Sequence, residues 1–132
     1  MKTIKDVCSM YGVRPLERGF IVTAGGMVEG TDISGHRYMV WTPTEQNDTW
    51  INLLFDNNNK IIERNNNSNT NDSLLKQIHD EIGIRRITFW RKNKTEAFKF
   101  IGVYVIDEQL STALQVRLYT KISDILPALK ID

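Results

Sequence analysis

Cysteine and histidine are scarce in this sequence, and their scarcity limits how the chain can be stabilised. Its 132 residues include one cysteine and two histidines. A single cysteine cannot close an internal disulfide, and these three residues cannot supply the four ligands of a structural zinc site. We therefore expect a core held by side-chain packing, with no metal ion and no cofactor.

Long hydrophobic runs are also missing. No stretch approaches the roughly 20 apolar residues that cross a bilayer, and the charged segment 1–7 precedes no apolar run of signal-peptide length. We therefore predict a cytoplasmic protein with no membrane partner. A net charge of +1 at pH 7 likewise gives no overall electrostatic reason to expect nucleic acid.

The composition that remains is that of one ordinary globular domain. Hydrophobic residues make up 41% of the chain and charged residues 25%, which excludes a disordered or fibrous protein. No internal repeat and no linker divides the sequence. We therefore predict a single domain over residues 1–132.

Short runs of β-type residues predict a meander of antiparallel strands in the first half. A short helix over residues 3–11 is followed by predicted strands at residues 20–24, 36–42, 49–55 and 60–64. An Asn-rich segment then separates the meander from a helix that begins at Asn71 or Asp72. The buried stripe of this helix is predicted to be Leu74, Leu75, Ile78 and Ile82.

The last third of the chain has the most regular alternation. It predicts strands at residues 86–92, 98–106 and 113–121, followed by a helical turn from Ser123 to Leu129. Seven strands and two or three short helices define an α+β protein. Because short strands in a chain of this size protect their edges by closing, we predict a small, mostly antiparallel β-barrel with flanking helices.

Catalytic patterns are weak. His36 and His79 have no accompanying serine or cysteine motif, and no phosphate-binding glycine loop is present. The acidic residues lack the Glu-x-Lys triplet with which restriction-type nucleases hold a metal ion and activate water. We therefore predict a protein that is not an enzyme, and a small hydrolase or nuclease remains as an alternative.

The near-neutral total charge conceals a basic segment. From Arg85 to Lys99 there are six basic residues and one acidic residue, so this window carries +5 and the rest of the chain −4. Because side chains alternate along a strand, cations and one aromatic ring share a face in each of the strands at 86–92 and 113–121. If these two faces point the same way, they combine phosphate contacts with stacking platforms.

The residues that we predict to contact nucleic acid are Arg86, Trp90, Arg91, Lys92, Lys99, Arg117, Tyr119 and Lys121. The alternative is that they form only the solvated side of an amphipathic sheet. Between these strands, Phe98, Phe100 and Tyr104 alternate around Gly102, where the missing side chain leaves room for a ring or a ligand. These three rings are a candidate pocket for a flipped base, or core packing beside a bulge.

Three segments of this region together resemble a recurring arrangement in DNA-reading proteins. The segments are residues 87–92, 98–104 and 116–119. The stretch from 85 to 120 is similar to the PUA-like and SRA-like β-barrel modules that accompany nucleases and helicases in restriction systems. This resemblance implies a small barrel that binds nucleic acid and senses a modified base without cutting it.

We therefore predict a non-enzymatic module that binds DNA or RNA and recognises modified DNA in a restriction or defence context. The alternative is a protein-interaction or assembly module, such as a phage or defence accessory. In that case Trp41 and Trp50 would anchor a homo-oligomer or a partner protein, since aromatic residues concentrate at interface hot spots.

Overall fold

One mixed sheet of seven strands forms the body of the protein. The computed structural model describes residues 6, 20–22, 37–46, 48–65 and 71–126. Within them the elements are β1 (Phe20–Val22), β2 (Arg37–Trp41), β3 (Trp50–Phe55), β4 (Lys60–Asn65), α1 (Asn71–Glu81), β5 (Ile84–Trp90), β6 (Lys99–Ile106), α2 (Glu108–Leu114) and β7 (Arg117–Ser123). The strand order across the sheet is β1-β2-β5-β6-β7-β4-β3.

The sheet is mostly antiparallel and curves into a half-barrel. Only β2 and β5 are parallel among the paired strands, and they align Arg37 with Ile84 and Trp41 with Thr88. β3 lies at one end of the strand order, yet Nδ2 of Asn52 on this strand donates to the carbonyl of Thr44, 3.1 Å away and just past β2. The predicted α+β class with a PUA-like or SRA-like sheet and flanking helices is confirmed.

β5, an interior strand of the sheet, is buried on both of its faces. From Arg86 to Trp90 every residue is buried, and Ile87, Thr88 and Phe89 have no exposed surface. A strand that is covered on both sides does not present the solvated polar face that alternation predicts for an amphipathic strand. Because β5 lies between β2 and β6, its Arg86 is buried within the fold.

The core on one side of the sheet is closed by α1. It consists of Met39, Trp41, Ile61, Ile78, Ile84, Trp90, Tyr104, Ile106 and Tyr119. From α1, Ile78 is buried in this core and Leu74 packs against it, whereas Leu75 and Ile82 are exposed. The predicted four-residue stripe was therefore wrong at Leu75, because the buried side of α1 is narrower than its sequence indicates, and at Ile82, which follows the end of the helix at Glu81.

The predicted strand over 113–121 begins too early. Residues Glu108–Leu114 form α2 instead, which starts where the carboxylate of Asp107 accepts a hydrogen bond from the Leu110 amide (2.9 Å). The helix ends at Gln115, whose φ of 57° is left-handed. Asp107 is a common capping residue, but the helix has only seven residues and therefore too little periodicity to stand out from the sequence.

The chain ends contribute little to the described structure. Of the predicted helix over 3–11 only Asp6 is described, and it is helical. β7 runs to Ser123, whose hydroxyl accepts from the Ile125 amide, and residues 124–126 form no helix. The rest of the predicted turn, residues 127–129, lies outside the described residues. In the described part of the chain, no helix is both long enough and apolar enough to cross a membrane.

Candidate nucleic-acid interface

Arg86 points into the core instead of toward solvent. Its guanidinium carbon lies 4.4 Å from the ring centroids of both Trp41 and Tyr119, and these two rings are 5.1 Å apart. The side chains of Arg86 on β5 and Tyr119 on β7 thus share one side of the sheet, which alternation within each strand had left open. That side is covered within the fold, so Arg86 is placed where it cannot contact phosphate directly.

Two carboxylates compensate the buried charge of Arg86. Glu81 at the end of α1 accepts from both Nε (3.2 Å) and Nη2, and Oε1 of Glu63 on β4 lies 3.5 Å from Nη1. Burial alone lowers the pKa of Arg86, but Tyr119, Glu63 and Glu81 outweigh burial and raise this pKa above its ordinary value. The guanidinium therefore stays charged and fixes the two carboxylates around it.

Arg117 extends the same network toward β3. Its Nε lies 3.4 Å from Oε1 of Glu63, and its Nη1 donates to Gln77 of α1. Its guanidinium carbon is 5.2 Å from the ring centroid of Trp50. We call the connected residues the inner cluster: Trp41, Trp50, Asn52, Glu63, Gln77, Glu81, Arg86, Arg117 and Tyr119.

The inner cluster contains buried polar atoms that have no hydrogen-bond partner among the described residues. They include Oδ1 of Asn52 and the hydroxyl of Tyr119. Burial raises the pKa of Tyr119, although the nearby Arg86 lowers it, so this hydroxyl remains neutral. A buried polar atom without a partner lowers the stability of the fold by about 1–3 kcal/mol. Such a cluster is therefore typical of a site that binds a polar ligand.

A second surface is made by the basic hairpin, residues 91–99, which joins β5 to β6. Lys92, Lys94 and Lys99 are exposed, and the only acid in the hairpin, Glu96, accepts from the amide of Lys92 (3.2 Å). These three lysines therefore form an exposed basic surface. The remaining cation, Arg91, is half-buried and stacks its guanidinium 4.3 Å from the ring centroid of Phe98.

The basic hairpin lies against the segment that follows β2. The amide of Glu45 donates to the carbonyl of Arg91 (3.0 Å), and the amide of Gln46 donates to that of Lys92 (2.9 Å). Thr44 in this segment also accepts from Asn52 of the inner cluster. The exposed lysines and the unpaired acceptor of Asn52 are thus connected through one short stretch of chain.

The remaining predicted contact residues are placed inside the fold. Trp90 is buried in the core, and Nζ of Lys121 pairs with Asp124 at 2.9 Å. Arg86 and Arg117 are buried in the inner cluster together with Tyr119. Among the eight residues predicted from sequence, the exposed ones are Lys92 and Lys99, and both belong to the basic hairpin.

The three rings of the predicted base pocket do not converge. β5 and β6 pair Thr88 with Gly102 and then Phe89 with Phe100, so a bulge leaves Ile101 unpaired. Phe100 contacts Phe89 with centroids 5.7 Å apart, whereas Tyr104 belongs to the core that Ile101 joins. Because a bulge reverses the alternation, Phe100 and Tyr104 lie on different sides of the sheet. Phe98 is covered by the guanidinium of Arg91.

The space beside Gly102 is filled by β7. A Cβ atom at this position would lie 2.8 Å from Cε of Lys121 and 3.0 Å from the carbonyl oxygen of Ser123, and the φ of Gly102 is +147°. We expect Gly102→Ala to lower the free energy of unfolding by about 1–3 kcal/mol, measured by urea denaturation, because both strain and crowding act. Gly83→Ala is the control: it has φ +83° but open space. Equal losses in the two variants would contradict a steric role for β7.

The comparisons with known proteins agree with this geometry. The sequence matches the SET and RING associated (SRA) domain over residues 1–128, and the chain therefore belongs to the SRA family. SRA domains read methylated or hydroxymethylated DNA. The predicted class, a PUA-like or SRA-like module that binds DNA, is thereby confirmed.

One solved structure has the same fold over nearly the whole chain. It is described as "The 5-Hydroxymethylcytosine-Specific Restriction Enzyme AbaSI" and superposes with a TM-score of 0.57 at 19% sequence identity. The superposition covers 96% of this chain and 39% of the AbaSI chain, so this chain spans about two fifths of that protein's length. Comparison with curated protein sequences gave no match.

Sequence reasoning named five members of the inner cluster, Trp41, Trp50, Arg86, Arg117 and Tyr119, and did not propose the other four as site residues. Asn52, Glu63, Gln77 and Glu81 come from three elements and become neighbours only when β3 and β4 fold beside β7 under α1. The one signal available in the sequence was the alternation of side chains along β3, which places Trp50, Asn52 and Leu54 on the same side of the strand. The residues on the buried side of a half-buried strand are expected to be apolar, and Asn52 is polar. A polar residue at such an inward position marks a candidate site.

Proposed function

We propose that this chain, as a single domain, reads 5-hydroxymethylcytosine or a closely related modified cytosine in DNA within a restriction system. The observation that carries the proposal is the unpaired, buried acceptor Oδ1 of Asn52 beside Trp50 and Glu63. Membership of the SRA family and the fold shared with AbaSI support the substrate class. Cleavage would belong to another domain or subunit, and a restriction role would place the protein in the cytoplasm.

The basic hairpin provides the first half of the mechanism. Exposed Lys92, Lys94 and Lys99 neutralise backbone phosphates, and such contacts position a protein on DNA without reading its sequence. They need no high overall charge, because the hairpin concentrates its cations at one edge of the half-barrel. The net charge of +1 is therefore compatible with DNA binding.

The inner cluster provides the second half. A protein that recognises a modified base must flip that base out of the duplex. Flipped bases are recognised by stacking and by hydrogen bonds to their edges. The half-buried ring of Trp50 supplies a stacking surface, and Asn52 and Glu63 supply acceptors. The amino group and the hydroxymethyl group of the modified cytosine are both donors, whereas a methyl group donates nothing. An acceptor-rich site therefore favours the hydroxylated base.

The proposal gives the buried cations an indirect role. Arg86 and Arg117 hold the carboxylate of Glu63 in place, at 3.5 Å and 3.4 Å. Tyr119 packs against Arg86 and carries a neutral hydroxyl into the same cluster. These residues shape the site, while the phosphates are contacted by the lysines.

A binding assay with three duplexes of one sequence tests the proposal. The central cytosine is unmodified, 5-methylated or 5-hydroxymethylated, and affinity is measured by fluorescence anisotropy at fixed salt. We expect the hydroxymethylated duplex to bind about tenfold more tightly or better. Asn52→Leu should equalise the three affinities, whereas the matched control Gln109→Leu, at an exposed position on α2, should keep the preference. Equal affinity of the unaltered protein for all three duplexes would refute the proposal.

The alternative function, a protein-interaction module that associates through Trp41 and Trp50, has less support. Trp41 is buried against Tyr119 and Arg86, and the half-buried Trp50 lies beside Arg117. An anchor residue at an interface needs exposed surface before the partner binds. Light scattering of the purified chain measures whether it self-associates, and a stable oligomer that is dissociated by Trp50→Ala would favour this alternative.

A further inference from the structure

Thr44 occupies a buried position between the basic hairpin and the inner cluster. Its hydroxyl accepts a hydrogen bond from Nε of Arg91 at 2.8 Å, and its carbonyl accepts from Nδ2 of Asn52 at 3.1 Å. The backbones of Thr44 and Arg91 also pair as a parallel bridge. One residue therefore connects a hairpin cation with the amide proposed to read the base.

Arg91 is held by contacts within the protein on several sides. Besides its bond to Thr44, Nη1 donates to the carbonyl of Lys94 at 3.4 Å, and the guanidinium stacks on the ring of Phe98. Phe98 is buried, so this stacking surface is fixed. A guanidinium restrained in this way is suited to orient a neighbour, whereas the exposed side chains of Lys92 and Lys94 are suited to follow phosphates.

The position of Thr44 determines which end of the Asn52 amide remains available. A carbonyl oxygen can only accept, so it takes the NH₂ group of the amide and directs Oδ1 away from itself. That Oδ1 is the buried atom without a partner among the described residues. A displaced Thr44 would therefore release the amide to rotate, and a rotated amide presents a donor where the site now presents an acceptor.

We infer that Arg91 is a positioning residue for base recognition, acting through Thr44 on the amide of Asn52. This inference rests on the proposed function and deepens it, because it separates two roles within the same basic hairpin. Lys92, Lys94 and Lys99 determine how strongly DNA of any sequence is bound. Arg91 and Thr44 determine how well the modified base is distinguished.

Arg91→Lys is the central test, with affinity measured for hydroxymethylated and unmodified duplexes over a range of salt concentrations. Lysine keeps the charge but cannot maintain the flat stack on Phe98 together with the bond to Thr44. We expect the preference for the modified duplex to fall between about twofold and tenfold, with an unchanged salt dependence. Lys92→Ala is the control and should show the opposite pattern, a slope of log K against log salt shallower by about 0.9 and an unchanged preference.

A second pair of variants tests the link at Thr44. Thr44→Val keeps the shape and the main-chain carbonyl but removes the hydroxyl that accepts from Arg91, so it should reproduce the loss of preference. Thr44→Ser retains the hydroxyl and should restore the preference. A merely structural role would lower the affinity for both duplexes equally. Thermal unfolding of each variant shows whether it is folded at the temperature of the assay.

The outcomes separate this inference from the proposed function. If the unaltered protein prefers the modified duplex and Arg91→Lys keeps that preference, the inference is wrong and the proposed function stands. If Arg91→Lys lowers both affinities and makes the salt slope shallower, Arg91 is a phosphate contact and the inference is also wrong. If the unaltered protein shows no preference, the proposed function fails first.

Discussion

Arg86→Met is expected to destabilise the protein by about 3–5 kcal/mol, because it leaves the buried carboxylate of Glu81 without a cation and that of Glu63 with Arg117 alone. The side chain of Arg86 is 7% exposed, and the carboxylates of Glu81 and Glu63 are 17% and 13% exposed. Methionine fills a similar volume between the rings of Trp41 and Tyr119 but cannot neutralise either acid. Chemical denaturation monitored by tryptophan fluorescence measures the loss.

The pH dependence of this loss identifies its cause. In Arg86→Met, burial without a cation raises the pKa of the Glu81 carboxyl group in the folded state above its value in the unfolded chain, whereas Glu63 keeps Arg117 as a partner. A raised carboxyl pKa favours folding at low pH and opposes it as the pH rises. The difference in stability between the variant and the unaltered protein should therefore shrink as the pH falls. A loss that is equally large at acidic pH would indicate missing ring contacts instead of unpaired charge.

Lys76→Met is the matched control for Arg86→Met. Lys76 lies on the same helix face as Asp80, its side chain is 81% exposed, and the two charged groups are 4.0 Å apart. Exposed pairs of this kind contribute between about 0 and 1 kcal/mol. Comparable losses in the two variants would contradict the special role assigned to the buried network.

Replacing Lys92, Lys94 and Lys99 together by alanine is expected to weaken DNA binding by about a hundredfold or more at low salt. Each phosphate contact contributes about 0.9 to the slope of log K against log salt, so the slope should become shallower by about 2.7. The loss should be the same for modified and unmodified duplexes, because phosphate contacts carry no base information. Anisotropy titrations at several salt concentrations measure both quantities.

Single alanine variants make this prediction specific to the basic hairpin. Lys92→Ala, Lys94→Ala and Lys99→Ala should each remove about one third of the slope change, whereas Lys76→Ala, on α1, should change neither slope nor affinity. The three lysines are exposed and lie outside the core, so none of the variants should alter the unfolding temperature appreciably. A slope that stays constant in the triple variant would mean that other cations contact the DNA.

Local patterns in the sequence predicted most strands because their signals are local. The alternating run of β6 and the Asn-rich turn between β3 and β4 gave bounds close to those observed, Lys99–Ile106 and Trp50–Phe55 with Lys60–Asn65. α2 was missed because its evidence is one capping residue and one left-handed residue, Asp107 and Gln115. The bulge at Ile101 was anticipated only as an alternative, since it depends on how β6 aligns with β5.

The candidate site was harder to predict because it depends on burial, which is a property of the whole sheet. Alternation left open whether Arg86 and the aromatic side of β7 share a face, and only the place of β5 between β2 and β6 shows that this face is covered. Lys92 and Lys99 are exposed because they lie at the hairpin end of β5 and β6. Asn52 and Glu63 had no local signal beyond the alternation of β3, since their partners Thr44, Arg86 and Arg117 lie on distant parts of the chain.

Because β2 and β5 pair over a long stretch of chain, the ability to bind DNA and the ability to recognise a modified cytosine should form at different stages of folding. The basic hairpin is a contiguous stretch that forms from nearby residues, whereas the inner cluster requires the long-range pairing of residue 37 with residue 84 and of residue 63 with residue 117. Long-range pairings form late because their loop closure costs the most entropy. A partly folded copy of this protein would therefore be attracted to DNA before it could tell one cytosine from another, and discrimination is a property of the completed fold alone.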